Sequence, residues 1–261
     1  MKIDRINRIY ELLEQVHHIS IDELCDTFKV SKNTIRRDIA ELDKKGLIQK
    51  VYGGILLAED EGAAVEPLLS SKGRHAEAQK TIARLAAERV EDGDVIYIDS
   101  GATAMQMIPY LTECHHLTIV TASLHVINAA SAYRDLNVIA TGGSLFLPAK
   151  AFVGPQVRRC LSCYNITKVF LTSSGISLEH GATDDSLLEC EVKRCLIEKP
   201  CRHYLLIESS KFDVASLKDY CALKDLDSVI TDRLPSEKYQ SYFEEHEVEL
   251  ITPKPAAVSA T

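Results

Sequence analysis

The sequence predicts two domains of different fold class, a small α+β domain at the N-terminus and a larger α/β domain behind it. Three observations support this prediction. Apolar residues recur at helical spacing over about the first 45 residues. A Gly-Gly pair then separates two short extended runs, and further along the chain apolar strands alternate with helical segments. The length of 261 residues also favours two domains over one.

Composition indicates an ordinary globular chain. Hydrophobic residues make up 46% and charged residues 26%, which argues against extensive disorder. No apolar run approaches the roughly 18 residues of a membrane helix, and the charged N-terminus lacks the apolar core of a secretory signal. We therefore expect a cytoplasmic protein with no membrane partner. The eight cysteines include one CxxC, Cys160 to Cys163, for which we expect free thiols, with no metal and no cofactor.

Two helices are predicted at the start of the N-terminal domain. Apolar residues at helical spacing place the first helix over about residues 3–16. A short extended piece, 19–21, follows it. Ser20 then begins the second helix, because Glu23 stands three residues later and the two side chains can form a capping box.

A third helix and a hairpin complete this domain. Ser31 is predicted to cap the third helix, which ends near Gly46. Two extended runs, 48–51 and 55–57, are joined through Gly53-Gly54 and read as a hairpin. Three helices and a hairpin in this order predict a winged helix-turn-helix.

Basic charge is concentrated in this domain, although the net charge of the chain is −8. The third helix of such a domain lies in the major groove of DNA, where Arg, Asn and Lys reach base edges and phosphates. The alternative is a small helical domain with an ordinary charged surface. The predicted contacts to double-stranded operator DNA are Ser31, Lys32, Asn33, Thr34, Arg36, Arg37, Lys44, Lys50 and Tyr52.

Domain boundaries follow from a change in composition. We expect residues 1–57 to form the DNA-binding domain and 58–74 to form an acidic, loop-like linker. Residues 75–251 form the predicted α/β domain with a mostly parallel sheet. The last residues, 252–261, are expected to be a disordered tail.

Five of the seven strands predicted in the α/β domain are followed by small hydroxylated or glycine residues. Ligands of open α/β sheets lie at the carboxyl ends of the strands, where N–H and O–H groups bind anions. A phosphorylated sugar fits this chemistry; the alternative is that these residues only form turns. The predicted effector contacts are Asp99, Ser100, Gly101, Ala102, Thr103, Thr121, Ser123, Gly142, Gly143, Lys150, Gly175 and Lys211.

Both domains resemble one known family. Residues 30–42 (VSKNTIRRDIAEL) resemble the recognition helix of DeoR-type bacterial transcriptional regulators, and 46–54 (GLIQKVYGG) resemble their wing. An ordered set of motifs resembles that family's C-terminal sensor domain, and implies a fold like pentose-phosphate isomerases and CoA transferases, with phosphorylated sugars as effectors. These motifs are Asp99-Ser100-Gly101-Ala102-Thr103, Thr121-Ala122-Ser123, Gly142-Gly143, Gly154, Gly175-Ile176, Lys193 and Ser209-Ser210-Lys211-Phe212.

The resemblance implies a repressor of sugar or carbohydrate genes, without enzymatic activity, that binds its operator as a homodimer or homotetramer. Two alternatives stay open. Ala102 and Ala122 stand where the family usually has Thr and Asn, so the sensor could be degenerate. The α/β domain could also be a sugar-phosphate isomerase-like enzyme, with Asp99 and Lys211 as its acid–base pair.

Overall fold

The computed structural model describes residues 5, 6, 8–10, 12, 13, 18–44, 48–51, 54–57 and 74–254. The chain forms two compact units, Met1–Glu66 and Pro67–Thr261. Over the described ranges, no helix combines the length and apolar character needed to cross a lipid bilayer.

Three helices and a three-stranded antiparallel sheet make up the described part of the N-terminal unit, so the predicted winged helix-turn-helix is confirmed. Helix α1 includes residues 5, 6, 8–10, 12 and 13. The other elements are β1 (His18–Ser20), α2 (Ile21–Phe28), α3 (Lys32–Lys44), β2 (Ile48–Val51) and β3 (Gly54–Leu57). Ile21, which was expected to be extended, is the first residue of α2.

Strand β1 is an addition to the predicted hairpin. It pairs with β3, so the strand order is β1-β3-β2. Ser20 ends β1 and caps α2: its Oγ accepts from the backbone N of Glu23 at 3.1 Å, and its own N donates to Glu23 Oε2 at 2.8 Å. The predicted capping box is therefore confirmed. The core of this unit consists of buried apolar residues: Ile6, Ile9, Leu13, Ile19, Leu24, Ile35, Ile39, Leu42, Ile48 and Ile55.

The C-terminal unit alternates strands and helices, as an α/β domain does. Its strands are β4 (Val95–Ile98), β5 (Thr118–Thr121), β6 (Asn137–Ala140), β7 (Ser144–Phe146), β8 (Ala151–Val153), β9 (Lys168–Thr172), β10 (Gly175–Ser177), β11 (Gly181–Asp184), β12 (Arg202–Leu206), β13 (Lys218–Cys221), β14 (Ser228–Ile230) and β15 (Glu249–Ile251). Its helices are α4 (Arg74–Ala87), α5 (Ala102–Met105), α6 (Leu124–Ala130), α7 (Pro155–Ser162), α8 (Leu187–Ile197) and α9 (Glu237–Glu245).

Between residues 74 and 254, seven of these strands form one sheet in the order β15-β14-β12-β9-β4-β5-β6, with every neighbouring pair parallel. These are the seven strands that the sequence predicts, so the mostly parallel sheet is confirmed. Side chains alternate between its faces: Ile96 and Ile98 belong to one apolar cluster, whereas Tyr97 belongs to another.

Two smaller sheets were not predicted. Strands β7 and β8 form an antiparallel pair, and β10, β11 and β13 form a three-stranded antiparallel sheet. The second of these lies near the carboxyl end of β9, because β10 begins three residues after it. It supplies Asp184 and Tyr220 to the site described next.

Candidate functional site

Helix α3 exposes one polar face. Its apolar residues Ile35, Ile39 and Leu42 are buried, and most of its polar residues lie on the opposite, exposed side. Thr34 is half-buried, and its Oγ1 lies 3.0 Å from Ser31 Oγ at the start of the helix. The exposed members of the predicted DNA-contact set are Ser31, Lys32, Asn33, Arg36 and Arg37.

For the other predicted DNA contacts, Lys44, Lys50 and Tyr52, the structure does not describe the side chains. Lys44 ends α3 and Lys50 lies in β2, but their side chains are outside the described residues. Tyr52 lies outside them altogether. The description of this surface therefore concerns α3.

An ion pair that sequence reasoning missed lies under α3. Asp38 is 1% exposed, and Arg5 of α1 donates to it through Nε (2.6 Å to Oδ2) and Nη2 (3.2 Å to Oδ1). The hydrogen bond to Asp38 raises the pKa of Arg5. This two-point contact joins α1 to α3, and it pairs the one buried carboxylate described on the helix with a cation.

In the C-terminal unit, Asp99 is the centre of a buried polar network. It follows β4 and is 2% exposed. Its Oδ2 accepts from both the backbone N (2.9 Å) and Oγ1 (2.7 Å) of Thr172, which ends β9. Lys193 Nζ of α8 lies 3.1 Å from the same oxygen. The loop after β4 is thereby fixed to the neighbouring strand.

Lys193 is almost fully buried, and its ammonium group contacts three oxygen atoms. Besides Asp99, its Nζ donates to the Thr172 carbonyl at 2.9 Å and to Asp184 Oδ2. Its ammonium also lies 5.3 Å from the centre of the Tyr220 ring. Burial opposes the charged form, but Asp99 and Asp184 outweigh that effect and hold the pKa of Lys193 well above its ordinary value. The lysine is a fixed internal cation.

A pocket that is open to solvent lies beside this network, with a volume of about 200 Å³ including its mouth. Glu189 of α8 stands at its edge, and its Oε1 accepts from Ser100 Oγ at 2.5 Å. Burial raises the pKa of Glu189, and the negative charges of Asp99 and Asp184 add to that increase. The residues that line the pocket are Tyr97, Asp99, Ser100, Ala122, Ala151, Phe152, Glu189 and Val192.

Two of the predicted effector residues, Asp99 and Ser100, line this pocket, and others shape its surroundings. Thr121 and Ser123 are fully buried: Thr121 Oγ1 donates to the Ile98 carbonyl at 2.7 Å, and Ser123 Oγ accepts from the Val126 N at 3.2 Å. Their hydroxyls hold the loop after β5 in place.

Glycines at the strand ends permit close packing. A Cβ on Gly101 would lie 2.3 Å from Thr172 Oγ1, and a Cβ on Gly175 would lie 2.5 Å from the Val214 carbonyl oxygen. Gly142 and Gly143 both have positive φ, +64° and +118°. None of these glycines is among the pocket-lining residues.

The other predicted effector residues also lie outside the pocket lining. Ala102 begins α5, and Thr103, in the same helix, is buried. Lys150 is half-buried, precedes the pocket residue Ala151 and has a left-handed backbone, φ 46°. Lys211 Nζ donates to the Ser173 carbonyl at 3.2 Å.

Glu208, which is buried after β12, forms a separate polar cluster with helix α4, in which His75 is exposed. His75 Nδ1 lies 2.7 Å from Glu208 Oε2, and Gln79 Nε2 donates to Oε1 at 3.0 Å. Gln106 Nε2 in turn donates to Gln79 Oε1 at 2.8 Å. These contacts tie α4 to the carboxyl end of β12. Across the described residues, no group of three or more His, Cys, Asp or Glu could hold a metal ion.

A winged helix-turn-helix followed by an α/β unit is the domain organisation of a DNA-binding transcriptional regulator. The chain matches the family description "DeoR-like helix-turn-helix domain" over residues 5–61 and "DeoR C terminal sensor domain" over residues 74–233. It therefore belongs to the DeoR family, as the sequence motifs predict.

Curated relatives match nearly the whole chain. It is 38% identical to the HTH-type transcriptional regulator IolR of Bacillus subtilis (strain 168), over 95% of this chain and 98% of that protein. It is 31% identical to a lactose phosphotransferase system repressor of Staphylococcus epidermidis, over 93% and 98%. It is 29% identical to the glycerol-3-phosphate regulon repressor of Escherichia coli (strain K12), over 94% and 97%.

Solved structures match part of the chain. A D-ribose-5-phosphate isomerase in complex with phospho-erythronic acid has a TM-score of 0.40 and 15% identity, over 52% of this chain and 53% of that one. The β subunit of eIF2B from Chaetomium thermophilum has a TM-score of 0.47 and 16% identity, over 65% and 53%.

Proposed function

We propose that this regulator represses genes of carbohydrate metabolism and that a phosphorylated sugar, bound at the carboxyl ends of the sensor sheet, controls its affinity for operator DNA. The observation that carries the proposal is the pocket beside Asp99, lined by polar groups at the ends of β4 and α8. Two relatives are named as repressors, one of a lactose phosphotransferase system and one of a glycerol-3-phosphate regulon.

The DNA-binding part of the proposal depends on α3. Arg36, Arg37 and Asn33 share its exposed side, and side chains of these types read base edges in the major groove. Lysine and arginine contacts to phosphates supply much of the affinity and make it steeply dependent on salt. A homodimer or homotetramer presents two copies of α3 to two half-sites.

The sensing part depends on differential binding. An effector that binds one arrangement of the sensor units more tightly than another shifts the population of the DNA-competent oligomer. Lys150 and Lys211 are the cations we assign to the phosphate, since Lys193 is already engaged by Asp99 and Asp184.

We propose that the protein has no isomerase activity. Asp99 Oδ2 receives three contacts from Thr172 and Lys193, and Lys211 donates to a carbonyl. No ion pair or hydrogen bond joins Asp99 to Lys211, both of which the structure describes. Turnover of pentose or hexose phosphates by the purified protein would contradict this assignment.

The DNA assignment is tested with the double variant Arg36→Ala plus Arg37→Ala. A duplex is first selected from a random pool with the full-length wild type, and binding is then followed by fluorescence anisotropy at several salt concentrations. We expect the double variant to lose operator binding, whereas Arg134→Ala, an exposed arginine of the sensor unit, binds normally. Equal binding by wild type and double variant would show that the arginines of α3 do not contact DNA.

The sensing assignment is tested with Lys211→Ala. Glucose 6-phosphate, fructose 6-phosphate, ribose 5-phosphate and glycerol 3-phosphate are each added to the protein–DNA complex. We expect at least one to change the affinity for DNA, and the midpoint of that change to move to higher concentration in Lys211→Ala. Exposed Lys224→Ala is the matched control. An unchanged midpoint in Lys211→Ala would show that this lysine does not contact the effector.

A further inference from the structure

Glu189 differs from Asp99 and Asp184 because no cation among the described residues forms an ion pair with it. Asp99 and Asp184 both contact Lys193. Among the residues that the structure describes, Glu189 forms no ion pair, and its one side-chain donor is Ser100 Oγ, at Oε1. Its Oε2 is therefore an unused acceptor at the edge of a pocket, and a partly buried carboxyl in this position is stabilised by additional hydrogen-bond donors.

A second acceptor atom lies nearby. Asp99 directs Oδ2 at Thr172 and Lys193, but the sole contact of its Oδ1 within the described chain is with Ser100 Oγ at 3.5 Å, a weak one. Ser100 thus lies between two carboxyl groups that each retain acceptor capacity. Polar groups converging on one pocket in this way are typical of small-molecule sites.

The rest of the pocket is apolar and compact. Tyr97 and Phe152 contribute aromatic surface, and Ala122, Ala151 and Val192 contribute aliphatic surface. The enclosed part of the pocket measures only about 10 Å³, room for roughly one water-sized group, and the rest of the 200 Å³ is open to solvent. This space fits a single hydroxyl group that donates to the carboxyl oxygens, while the rest of the ligand lies in the open mouth of the pocket.

Charge makes the same pocket unsuitable for a phosphate. Asp99 and Glu189 both present carboxyl oxygens to it, and the nearest buried cation, Lys193, is neutralised by Asp99 and Asp184. A phosphate dianion placed there meets like charges at short range.

We propose that this pocket receives the uncharged, hydroxyl-bearing end of the effector, with Glu189 and Asp99 as hydrogen-bond acceptors, while the phosphate stays outside it. The proposal rests on the proposed function in so far as the effector is a phosphorylated sugar. Glu189 is then the residue that selects the hydroxyl pattern of the effector, and the narrow pocket fixes which end of the molecule enters.

The test compares wild type with Glu189→Gln in the full-length protein, with exposed Glu191→Gln as the matched control. Calorimetric titrations use glucose 6-phosphate, its 2-, 3- and 4-deoxy analogues, free glucose, glucitol and inorganic phosphate. A hydrogen bond to a charged group is worth roughly 1.5–3 kcal/mol, so loss of the hydroxyl that contacts Glu189 should weaken wild-type binding about tenfold or more. In Glu189→Gln the same deoxygenation should cost less than about threefold, since the charge-assisted bond is already gone.

Two results would overturn the proposal. The first is full additivity of Glu189→Gln with every deoxygenation. The second is phosphate binding that becomes more than about tenfold tighter in Glu189→Gln, because relief of like-charge repulsion places the phosphate in the pocket. Ala122→Val, which narrows the pocket wall without changing charge, should weaken every sugar, and its thermal midpoint verifies that it folds.

The same titrations distinguish a wrong effector class from a wrong pocket assignment. If no phosphorylated sugar binds wild type but free glucose or glucitol binds in a Glu189-dependent manner, the phosphorylated effector is wrong and the pocket assignment is supported. If neither the phosphorylated nor the free compounds bind wild type, the pocket assignment is overturned as well.

Discussion

Helices α3 and α8 place similar residues in opposite surroundings. The arginines of α3, Arg36 and Arg37, are exposed, whereas Lys193 of α8 is 2% exposed and held by two carboxylates. A basic residue on an amphipathic helix therefore has no single meaning: on α3 it is available to a partner, and on α8 it is part of the internal structure. Burial and pairing, which the sequence does not display, separate the two roles.

The largest expected effect is a loss of stability when the buried lysine of α8, Lys193, is replaced. Replacing Lys193 with Met keeps its length but leaves Asp99 and Asp184 buried without a cation. Removing one partner of a buried ion pair costs about 3–5 kcal/mol, so we expect a loss of this order in the free energy of unfolding of the C-terminal unit. Urea denaturation followed by circular dichroism measures it.

The matched control for that variant is Lys224→Met, because Lys224 is exposed. A surface change of this kind alters stability by less than about 0.5 kcal/mol. If Lys193→Met and Lys224→Met had equal stabilities, Lys193 would have no special structural role, and the contrast between α3 and α8 would fail.

A smaller effect concerns the loop after β6. A Cβ on Gly143 would lie 2.8 Å from the Val153 carbonyl oxygen at φ +118°, whereas Gly142 has open space around it at φ +64°. We expect Gly143→Ala to lower the stability by about 1–3 kcal/mol, the usual cost of a strained backbone position. Gly142→Ala should cost less, about 1 kcal/mol, since it meets only the left-handed backbone penalty. Thermal unfolding that ranks the two variants in the reverse order would contradict this account.

Ser20→Ala tests the N-terminal unit. The variant removes the acceptor for the Glu23 N at the start of α2, and loss of such a cap costs about 0.5–2 kcal/mol. Thr27→Ala, at an exposed position of the same helix, is the control. We expect calorimetry to show the change in the transition of the N-terminal unit alone. If Thr27→Ala lowered the transition temperature equally, the effect of Ser20→Ala could not be attributed to loss of the helix cap.

The smallest expected effect is a dependence on pH at Asp94, which contacts Lys168 at 2.7 Å. Burial opposes its ionisation, but the hydrogen bonds from Lys168, the Glu91 backbone and Thr167 outweigh burial and lower the pKa of Asp94 below 3.8. Its stabilisation is therefore fully present above pH 3.8 and is lost as the pH falls through the lower folded-state pKa. Asp94→Asn should reduce the fall in thermal midpoint between pH 5 and about pH 3; an unchanged fall would show that Asp94 does not contribute.

The strands of the large sheet could be predicted because most are short runs rich in apolar residues. The bounds expected for Val95–Ile98 and Asn137–Ala140 are those observed, and the others differ by one or two residues. Strands β10, β11 and β13 were missed because they contain glycine or charged residues and few apolar ones. The order of strands depends on distant pairings that periodicity does not encode.

The site was predictable only in part for the same reason. Asp99 and Ser100 follow an apolar strand, which gave a clear signal. Glu189 stands three residues after Ser186 in a spacing typical of a capping box, and Ser186 does cap α8 by accepting from the Glu189 N at 3.3 Å. Its carboxyl group, however, binds Ser100, 89 positions away in the sequence. Conversely, the Thr121 hydroxyl binds the backbone of β4 and the Ser123 hydroxyl caps α6, so neither is directed into the pocket lining.

Ser20 has two roles in the N-terminal unit: it pairs with Gly54 as the end of β1, and it caps α2. A slip of β1 by one residue along β3 would reverse the faces of its side chains and would also detach the cap. The register of a three-residue strand is thus locked by the helix that follows. One residue therefore sets both the pairing of the sheet and the start of α2, the helix that shares its apolar core with α3.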